Sequence, residues 1–222
     1  MAPVQVFTPE ALLHRHRRVL AGAVACVVLS ACLAGSADLA SAAQPQTAAT
    51  YLSRNVSARV TPIRYIILHT TEGWDYSAPR DRGLRAALFY FHANTRGVSV
   101  HITIDRYGQS GRSVPDALKA FHARDDNTYS LGIEQIGYAA YTRAQWLARK
   151  PQLDATAAWI AYWSAKYKIP IRLCVATGYG RVTTPGVCSH GQVEPCCRTD
   201  PGRGYPWDYV LARARSLAGG GV

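Results

Sequence analysis

The sequence predicts a single α/β domain with a mixed central sheet flanked by helices. Short β-branched and aromatic runs, which are typical of buried strands, alternate along the chain with stretches of helical periodicity. The size agrees, because 222 residues of which 48% are hydrophobic can bury one sizeable core. The sequence contains no internal repeat, so these observations favour one domain over two large domains or a repeat protein.

The first 42 residues have the pattern of an export signal. A basic stretch at residues 14–18 precedes an apolar run at residues 19–34, which is shorter than the roughly 20 residues that a membrane-spanning helix needs. Two outcomes stay open. Cleavage after Ala42, behind a small-x-small pattern, gives a secreted chain. Lipid attachment at Cys32, in a Leu-Ser-Ala-Cys segment that resembles a lipoprotein signal, anchors the chain on the outer face of the cytoplasmic membrane.

Residues 43–58 predict a flexible tether. Their Ala, Gln, Thr, Ser and Pro residues show no periodicity and cannot bury enough apolar surface to fold. The folded domain is therefore expected over residues 59–218. Its first strand is predicted within residues 62–71, a mostly β-branched and aromatic run that ends near His69.

The next elements follow from apolar spacing. A helix is predicted over residues 83–93, because Leu84, Leu88 and Phe91 share one face. Residues 98–105 alternate between apolar and polar side chains, which predicts a strand with one core face and one polar face.

The second half of the domain contains a carboxylate in an apolar strand. Residues 131–137 form this short strand around Glu134, and a buried, unpaired carboxylate has the raised pKa that a general base needs. Helical spacing returns over residues 142–168, with a start or an interruption at Pro151. Residues 169–175 are predicted as the last strand and residues 207–217 as a terminal helix.

Polar side chains crowd the turn-rich segment at residues 189–208. Its Pro and Gly residues argue against a regular helix or a central strand. His190 and Asp200 are ordinary zinc ligands, and a catalytic zinc takes about three protein ligands and leaves a position for water. The best upstream candidate for the third ligand is His69, at the end of a buried strand.

Four cysteines remain outside the N-terminal region, at positions 174, 188, 196 and 197. In an exported protein we expect them to form disulfides. Pairing of the neighbours Cys196 and Cys197 is sterically disfavoured, which leaves two alternatives open: Cys174 with Cys196 and Cys188 with Cys197, or Cys174 with Cys197 and Cys188 with Cys196. A structural zinc site made of these cysteines is disfavoured, because paired C-x-x-C spacing is missing.

The formal net charge of +11 suggests a polyanionic partner. The basic residues are scattered, and no zinc finger, helix-turn-helix or aromatic platform accompanies them, so we expect no nucleic acid. An anionic cell-wall polymer would match the same charge. We expect a monomer.

Several short segments, taken in their order along the chain, carry a resemblance to a known family. They are Ile-Leu-His-Thr-Thr at 67–71, the run at 91–108, Ala-Phe-His-Ala at 120–123, Ser-Leu-Gly-Ile-Glu at 130–134, Ser-His at 189–190 and Arg-Thr-Asp-Pro-Gly at 198–202. In this order they resemble the zinc-dependent N-acetylmuramoyl-L-alanine amidases of the phage-lysozyme and peptidoglycan-recognition type, the amidase-2 family. The resemblance covers roughly residues 60–215.

The resemblance implies the family's fold and a peptidoglycan hydrolase that cleaves the amide between N-acetylmuramic acid and the L-Ala of the stem peptide. It implies zinc on His69, His190 and Asp200, with Glu134 as the acid/base residue. Arg198 would stabilise the oxyanion, in a position where members often have Lys. Another departure is Val100, where some members have Tyr.

The resemblance also implies residues that contact the substrate: His101, His122, Thr70 and Asn94. For His101 and His122, buried hydrogen-bonded support is an equal alternative. Cys196 and Cys197 are rivals of Asp200 as the third ligand, because thiolates bind zinc. The family's loop has a basic residue two positions before the ligand and Pro directly after it, which only Asp200 satisfies.

Two other functions were weighed. A module that binds peptidoglycan without cutting it occurs in this superfamily where a zinc ligand is missing, whereas here all three positions are filled. A Cys-His peptidase using Cys188 and His190 is disfavoured, because residues two apart in a loop seldom align as nucleophile and base.

Overall fold

A six-stranded mixed sheet organises the part of the chain that the structure, a computed structural model, describes, which is residues 42–219. The strands are β1 (Ala49–Thr50), β2 (Val56–Ala58), β3 (Tyr65–Thr70), β4 (Ile102–Ile104), β5 (Ser110–Arg112), β6 (Leu118–Ala120), β7 (Ser130–Gln135), β8 (Val175–Ala176), β9 (Val182–Thr184) and β10 (Val187–Ser189). The central sheet has the order β1-β5-β4-β7-β3-β10, while β2 pairs with β6 and β8 with β9.

Five helices accompany these strands in the described residues: α1 (Arg82–Ala93), α2 (Arg143–Leu147), α3 (Lys150–Tyr167), α4 (His190–Val193) and α5 (Trp207–Ala218). A 3-10 helix covers Arg124–Thr128. None of the helices in residues 42–219 is both long and apolar enough to cross a membrane. The predicted class, one α/β domain with a mixed sheet between helices, is confirmed.

The alternation of side chains along the strands decides on which face of the sheet His69 lies. Ile66 and Leu68 of β3 pack with α3 and α5 in the main hydrophobic core, and so do Leu131 and Ile133 of β7. Because successive side chains of a strand point to opposite faces, His69 lies on the other side of the sheet. The register then pairs His69 with Glu134 on the neighbouring strand.

The predicted tether at residues 43–58 is wrong, because this segment is docked on the domain. β1 pairs in parallel with β5 at the edge of the central sheet, and β2 pairs with β6 in an antiparallel ladder. The hydroxyl of Ser99 donates to the carbonyl oxygen of Asn55 at 2.6 Å. Such short edge strands are held mainly by backbone hydrogen bonds, which leave no apolar pattern in the sequence.

The strand predicted over residues 98–105 is shorter, and its two faces are both buried. Only Ile102–Ile104 pair as a strand, between β5 and β7. Ser99, His101 and Asp105 on the supposed polar face are nearly inaccessible to solvent. Alternation predicted the two faces correctly, but a strand inside the sheet is covered on both.

Two further segments differ from the prediction. Residues 169–175 contribute only the start of β8 and an isolated bridge from Leu173 to Val187, and the outer strand beside β3 is β10. The turn-rich segment begins with the short helix α4, whose capping box joins Ser189 and Gln192. The cap explains how a helix of four residues forms before the Pro-rich part begins. The predicted export signal at residues 1–42, including Cys32, lies outside the described residues except for Ala42.

Candidate metal centre

His69, His190 and Asp200 meet on one side of the sheet, and all three are buried. Each offers one ligand atom, and these atoms lie within 4.8 Å of one another. Oδ2 of Asp200 lies 3.5 Å from Nδ1 of His69 and 3.1 Å from Nδ1 of His190. The structure therefore brings together the three residues that the sequence suggested as ligands.

Three different elements deliver these side chains. His69 stands near the end of β3, and His190 opens α4 directly after β10, which is the parallel neighbour of β3. Asp200 returns from the loop beyond α4, where its carbonyl oxygen accepts from the backbone N–H of Gly191 at 3.1 Å. Its carboxylate also accepts from the backbone N–H of Thr70 at 3.3 Å. Hydrogen bonds to the backbone thus fix the loop against the strand.

The charge states of this group suit a metal. Burial lowers the pKa of His69 to about 4, and the neighbouring His190 acts in the same direction. Burial would raise the pKa of Asp200, but the contacts with His190 and His69 outweigh it and hold the pKa far below its ordinary value. Near neutral pH the group therefore offers a neutral imidazole and a carboxylate, which are donors that zinc takes. The residues fit a zinc ion.

Glu134 lies beside the ligand group on β7. It is the direct partner of His69 in the parallel pairing of β3 and β7. Burial raises the pKa of Glu134 well above its ordinary value, the negative charges of Asp200 and Glu72 add to the effect, and Arg198 opposes it. A carboxylate with a raised pKa accepts a proton more readily than an ordinary one.

A cleft of about 490 Å³ opens over the ligand group. Thr70, His122, Glu134 and Arg198 line it with the three candidate ligands. The aromatic residues on its walls were missed in the sequence, and they are Trp74, Tyr90, Phe91 and Phe121.

Two residues expected at the substrate are not brought into this cleft. His101 is completely buried, where its Nδ1 accepts from the backbone N–H of Gly132 at 3.0 Å and its Nε2 lies 3.2 Å from the carbonyl oxygen of Leu118. Asn94 ends α1, and its amide donates to the carbonyl oxygens of Tyr90 and Val98 at 3.0 and 2.9 Å. Both side chains hold the backbone. For Asn94 this corrects the expectation of substrate contact, and for His101 it agrees with the alternative of buried hydrogen-bonded support.

Two acidic residues of the cleft were missed in the sequence. Glu194 lies one helical turn after His190, and its Oε1 is 3.3 Å from Nε2 of His190. Its other oxygen is 3.3 Å from Arg124 and 3.9 Å from Arg198. The i,i+4 spacing of 190 and 194 would have been a signal if α4 had been recognised. Glu72 accepts a hydrogen bond from the hydroxyl of Thr70 at 2.6 Å. No pattern in the sequence of its loop predicts that Glu72 lies in the cleft.

The disulfides pair differently from both sequence-based alternatives. Cys174 pairs with Cys188, with 5.1 Å between their Cα atoms, and Cys196 pairs with its neighbour Cys197. The reason for the first pair is local, because Leu173 and Val187 form a parallel bridge that places the two following residues side by side. Among the four cysteines of residues 42–219, this pairing leaves the two adjacent ones only each other.

Comparisons with known proteins agree with this geometry. A family model described as N-acetylmuramoyl-L-alanine amidase matches residues 59–203. The chain is similar to the hydrolase AmiA of Staphylococcus aureus, with a TM-score of 0.57 and 16% identity over 79% of this chain and 84% of that chain. For a selenomethionine derivative of AmpD the TM-score is 0.55, with 20% identity over 81% and 98%. For the amidase LysC of Clostridium intestinale URNW it is 0.53, with 18% identity over 78% and 99%.

At these identities the likeness to solved structures establishes the fold alone. Among curated protein sequences there is no significant match.

Proposed function

Because the chain belongs to the N-acetylmuramoyl-L-alanine amidase family, we propose that it cleaves the amide between N-acetylmuramic acid and the L-Ala of the stem peptide in peptidoglycan, with zinc held by His69, His190 and Asp200. The observation that carries the proposal is the convergence of three buried ligand atoms within 4.8 Å, in a cleft that also holds Glu134. When bound, zinc lowers the pKa of a water ligand toward neutrality and polarises a carbonyl group.

Glu134 moves the proton in this proposal. Its carboxylate accepts a proton from the attacking water and returns it to the amide nitrogen, which leaves as the free α-amino group of L-Ala. The other product carries a new carboxylate on the lactyl group of N-acetylmuramic acid, so the atoms of one water molecule are accounted for. The raised pKa of Glu134 supports this role, since the group must hold the proton between the two steps.

Arg198 contributes charge alone. Its guanidinium lines the cleft and can stabilise the negative oxygen that develops during attack. The carboxylate of Glu194, 3.9 Å from its Nε, orients it. Thr70 and His122 also line the cleft.

Mass spectrometry of digested peptidoglycan tests the function. Purified sacculi incubated with the zinc-loaded protein should release stem peptides that begin with a free L-Ala amino group. A Glu134→Gln variant with zinc bound serves as the matched control and should release very little. Co-sedimentation with sacculi that yields only intact muropeptides after muramidase treatment would mean that the protein binds peptidoglycan without cutting it, and the proposal would fail.

The basic and apolar stretches in the N-terminal 42 residues support a proposal of export to the cell wall. We also propose that the protein acts as a monomer. Membrane contact would arise only through a lipid anchor at Cys32, and cleavage after Ala42 would give a secreted chain. Cell fractionation of the full chain separates the two routes. If Cys32 carries lipid, Cys32→Ala moves the protein from the membrane to the soluble fraction. If cleavage follows Ala42, the wild type and Cys32→Ala are both found in the soluble fraction outside the membrane. A protein retained in the cytoplasm contradicts export altogether.

A further inference from the structure

Behind the candidate ligand His69, a line of hydrogen bonds runs to the backbone. Nε2 of His69 lies 2.9 Å from Nδ1 of His122. Nε2 of His122 lies 3.3 Å from the hydroxyl oxygen of Ser130. That hydroxyl donates to the carbonyl oxygen of Asp126 at 2.7 Å. The nitrogen of His69 that faces away from Asp200 is thereby connected to a fixed acceptor on the main chain.

The positions of the protons follow from this order of contacts. A hydroxyl has one hydrogen, and Ser130 gives it to the carbonyl oxygen of Asp126, so its oxygen can only accept from His122. His122 then carries its proton on Nε2 and keeps a lone pair on Nδ1. That lone pair accepts only if His69 carries its own proton on Nε2. The remaining nitrogen of His69, Nδ1, is unprotonated and faces Oδ2 of Asp200 at 3.5 Å.

His122 is held in place at its backbone and at its ring. The side-chain oxygen of Asn127 accepts from the backbone N–H groups of His122 and Ala123, at 2.7 and 2.6 Å. On the other side the ring lies directly on β7 at Gly132, where a Cβ atom would fall 2.8 Å from Nδ1 of His122. The two imidazoles meet at an interplanar angle of 86°, with ring centres 5.0 Å apart. A glycine at position 132 thus leaves the space that this ring needs.

We propose that His122 is a positioning residue of the metal centre. Its Nδ1 accepts a hydrogen bond from the Nε2–H of His69, which leaves the lone pair on Nδ1 of His69 available for the metal before the metal binds. The inference rests on the proposed function, because it takes His69 as a zinc ligand. Metal-binding histidines commonly donate their second N–H to a carboxylate or a carbonyl. Here the acceptor is a second neutral imidazole, and Ser130 sets its tautomer. Without this acceptor, His69 can carry its proton on Nδ1, which must move before a metal binds.

Zinc affinity in the absence of substrate tests the role of His122. The affinity is measured by competition with a chromophoric chelator for the wild-type protein, His122→Phe and His122→Asn. Phe keeps a planar ring and removes the acceptor, so zinc affinity should fall by about 10- to 100-fold. Asn can place its carbonyl oxygen near the position of Nδ1, so its affinity should stay close to that of the wild type. Equal affinity in wild type and His122→Phe, or an Asn variant as weak as Phe, overturns the proposal.

A second measurement needs neither zinc nor a stable His122 variant. Nitrogen-15 NMR of the metal-free protein, labelled at histidine, distinguishes protonated from unprotonated ring nitrogens. We expect protons on Nε2 of both His69 and His122, and in Ser130→Ala a mixture of tautomers at His122. A proton on Nδ1 of His69 in the wild type overturns the proposal.

The failure of this inference differs from the failure of the proposed function. A wild-type protein that binds no zinc contradicts the metal centre itself. Stoichiometric zinc that is lost in His190→Ala, together with unchanged affinity in His122→Phe, contradicts only the positioning role.

Discussion

Asp200 is the residue on which the two candidate imidazole ligands converge. Its Oδ2 atom contacts Nδ1 of both His69 and His190, and the pKa of its carboxyl group is held low by those contacts. Cys196 and Cys197 are exposed and joined to each other, so they offer no thiolate. Geometry and redox state therefore favour the carboxylate over the thiols as third ligand.

We expect Asp200→Ala to lose zinc and activity, because two imidazoles alone make a weak zinc site. A double variant, Cys196→Ser with Cys197→Ser, is the matched control from the same loop and should keep full zinc. Elemental analysis of the purified, folded proteins measures both. Full zinc occupancy in Asp200→Ala would show that another group is the third ligand.

Glu134→Gln should retain zinc and fold but lose about 10²- to 10⁴-fold in turnover, the usual contribution of a positioned acid/base. The amide keeps the shape of the side chain and cannot take the proton. Glu72→Gln is the control, since Glu72 is a second carboxylate of the same cleft but is engaged by Thr70 and the backbone N–H of Ala139. Rates of stem-peptide release compare the two. Near-native turnover in Glu134→Gln would assign the proton transfer to another group.

The sequence pointed to those site residues whose chemistry is unusual for their place. His69 and Glu134 stand in buried strands, where a polar side chain needs a reason. It did not find Glu194, which contacts His190 through a helix too short to show periodicity. It left substrate contact and buried support open for His101, which is buried, because alternation gives the face of a strand but not what covers that face.

At the scale of elements, a buried ion pair fastens the loop beside the cleft to the start of α3. Arg149 donates to both oxygens of Asp75, with Nη1 and Oδ1 2.9 Å apart, and the hydroxyl of Tyr141 donates at 2.5 Å. Asp75 follows Trp74, a wall of the cleft. Burial would raise the pKa of Asp75, but hydrogen bonds from Arg149 and Tyr141 outweigh it and hold the pKa below its ordinary value. The ionised form is therefore stabilised by folding.

Asp75→Asn should cost about 3 kcal/mol of stability at neutral pH, because Arg149 is left buried without its partner. A folded-state pKa below the unfolded value means that the contribution is complete above about pH 4 and is lost as the pH falls through the folded pKa. The stability difference between wild type and variant should therefore shrink below about pH 4. Urea unfolding across this range measures it.

An exposed ion pair is the control for this experiment. Arg85 lies 2.8 Å from Asp81 on the surface, and Arg85→Gln should leave the unfolding midpoint nearly unchanged at every pH. A constant difference between wild type and Asp75→Asn from neutral to acid pH would show that the loss comes from packing and not from the ionised pair.

The elements that the sequence predicted well are those with a strong apolar signal. β3, β7, α1 and α5 are found close to the expected positions, because each buries a continuous or periodic set of apolar side chains. The short strands β1, β2 and β10 were not predicted. Two or three residues carry no period, and their pairing depends on backbone groups that every sequence shares.

At the scale of the whole molecule, one side of the sheet is core and the other carries the cleft. α3 and α5 cover the face of Ile66 and Leu68 with aromatic and aliphatic side chains. This packing makes the strands rigid, and rigid strands hold His69 and Glu134 next to each other across the sheet. The order of strands could not be read from the sequence, since it depends on contacts between distant segments.

The segment before the family match completes this sheet. Three backbone hydrogen bonds join it to β5 and the residues after it: Ala48 N–H to Ser110, Tyr51 N–H to Arg112 and Ser53 N–H to Ser113, at 2.7 to 3.0 Å. Tyr51 also packs against the cluster formed by α1. Removal of the segment would expose the edge of β5 and the apolar surface beneath Tyr51.

A chain that starts at residue 59 should be less stable than one that starts at residue 43, by at least about 4 kcal/mol. Three backbone bonds outside the strand ladders and the bond from Ser99 to Asn55 are lost, at roughly 1 kcal/mol each, together with the pairing of β1 with β5 and of β2 with β6. Urea unfolding of both chains measures the difference, and zinc content per folded chain should be equal, because β1 lies at the far edge of the sheet from β3. The chain from residue 43 is the control, since it lacks only the predicted export signal. Equal stability of the two chains would mean that the docked segment contributes nothing to the stability of the domain.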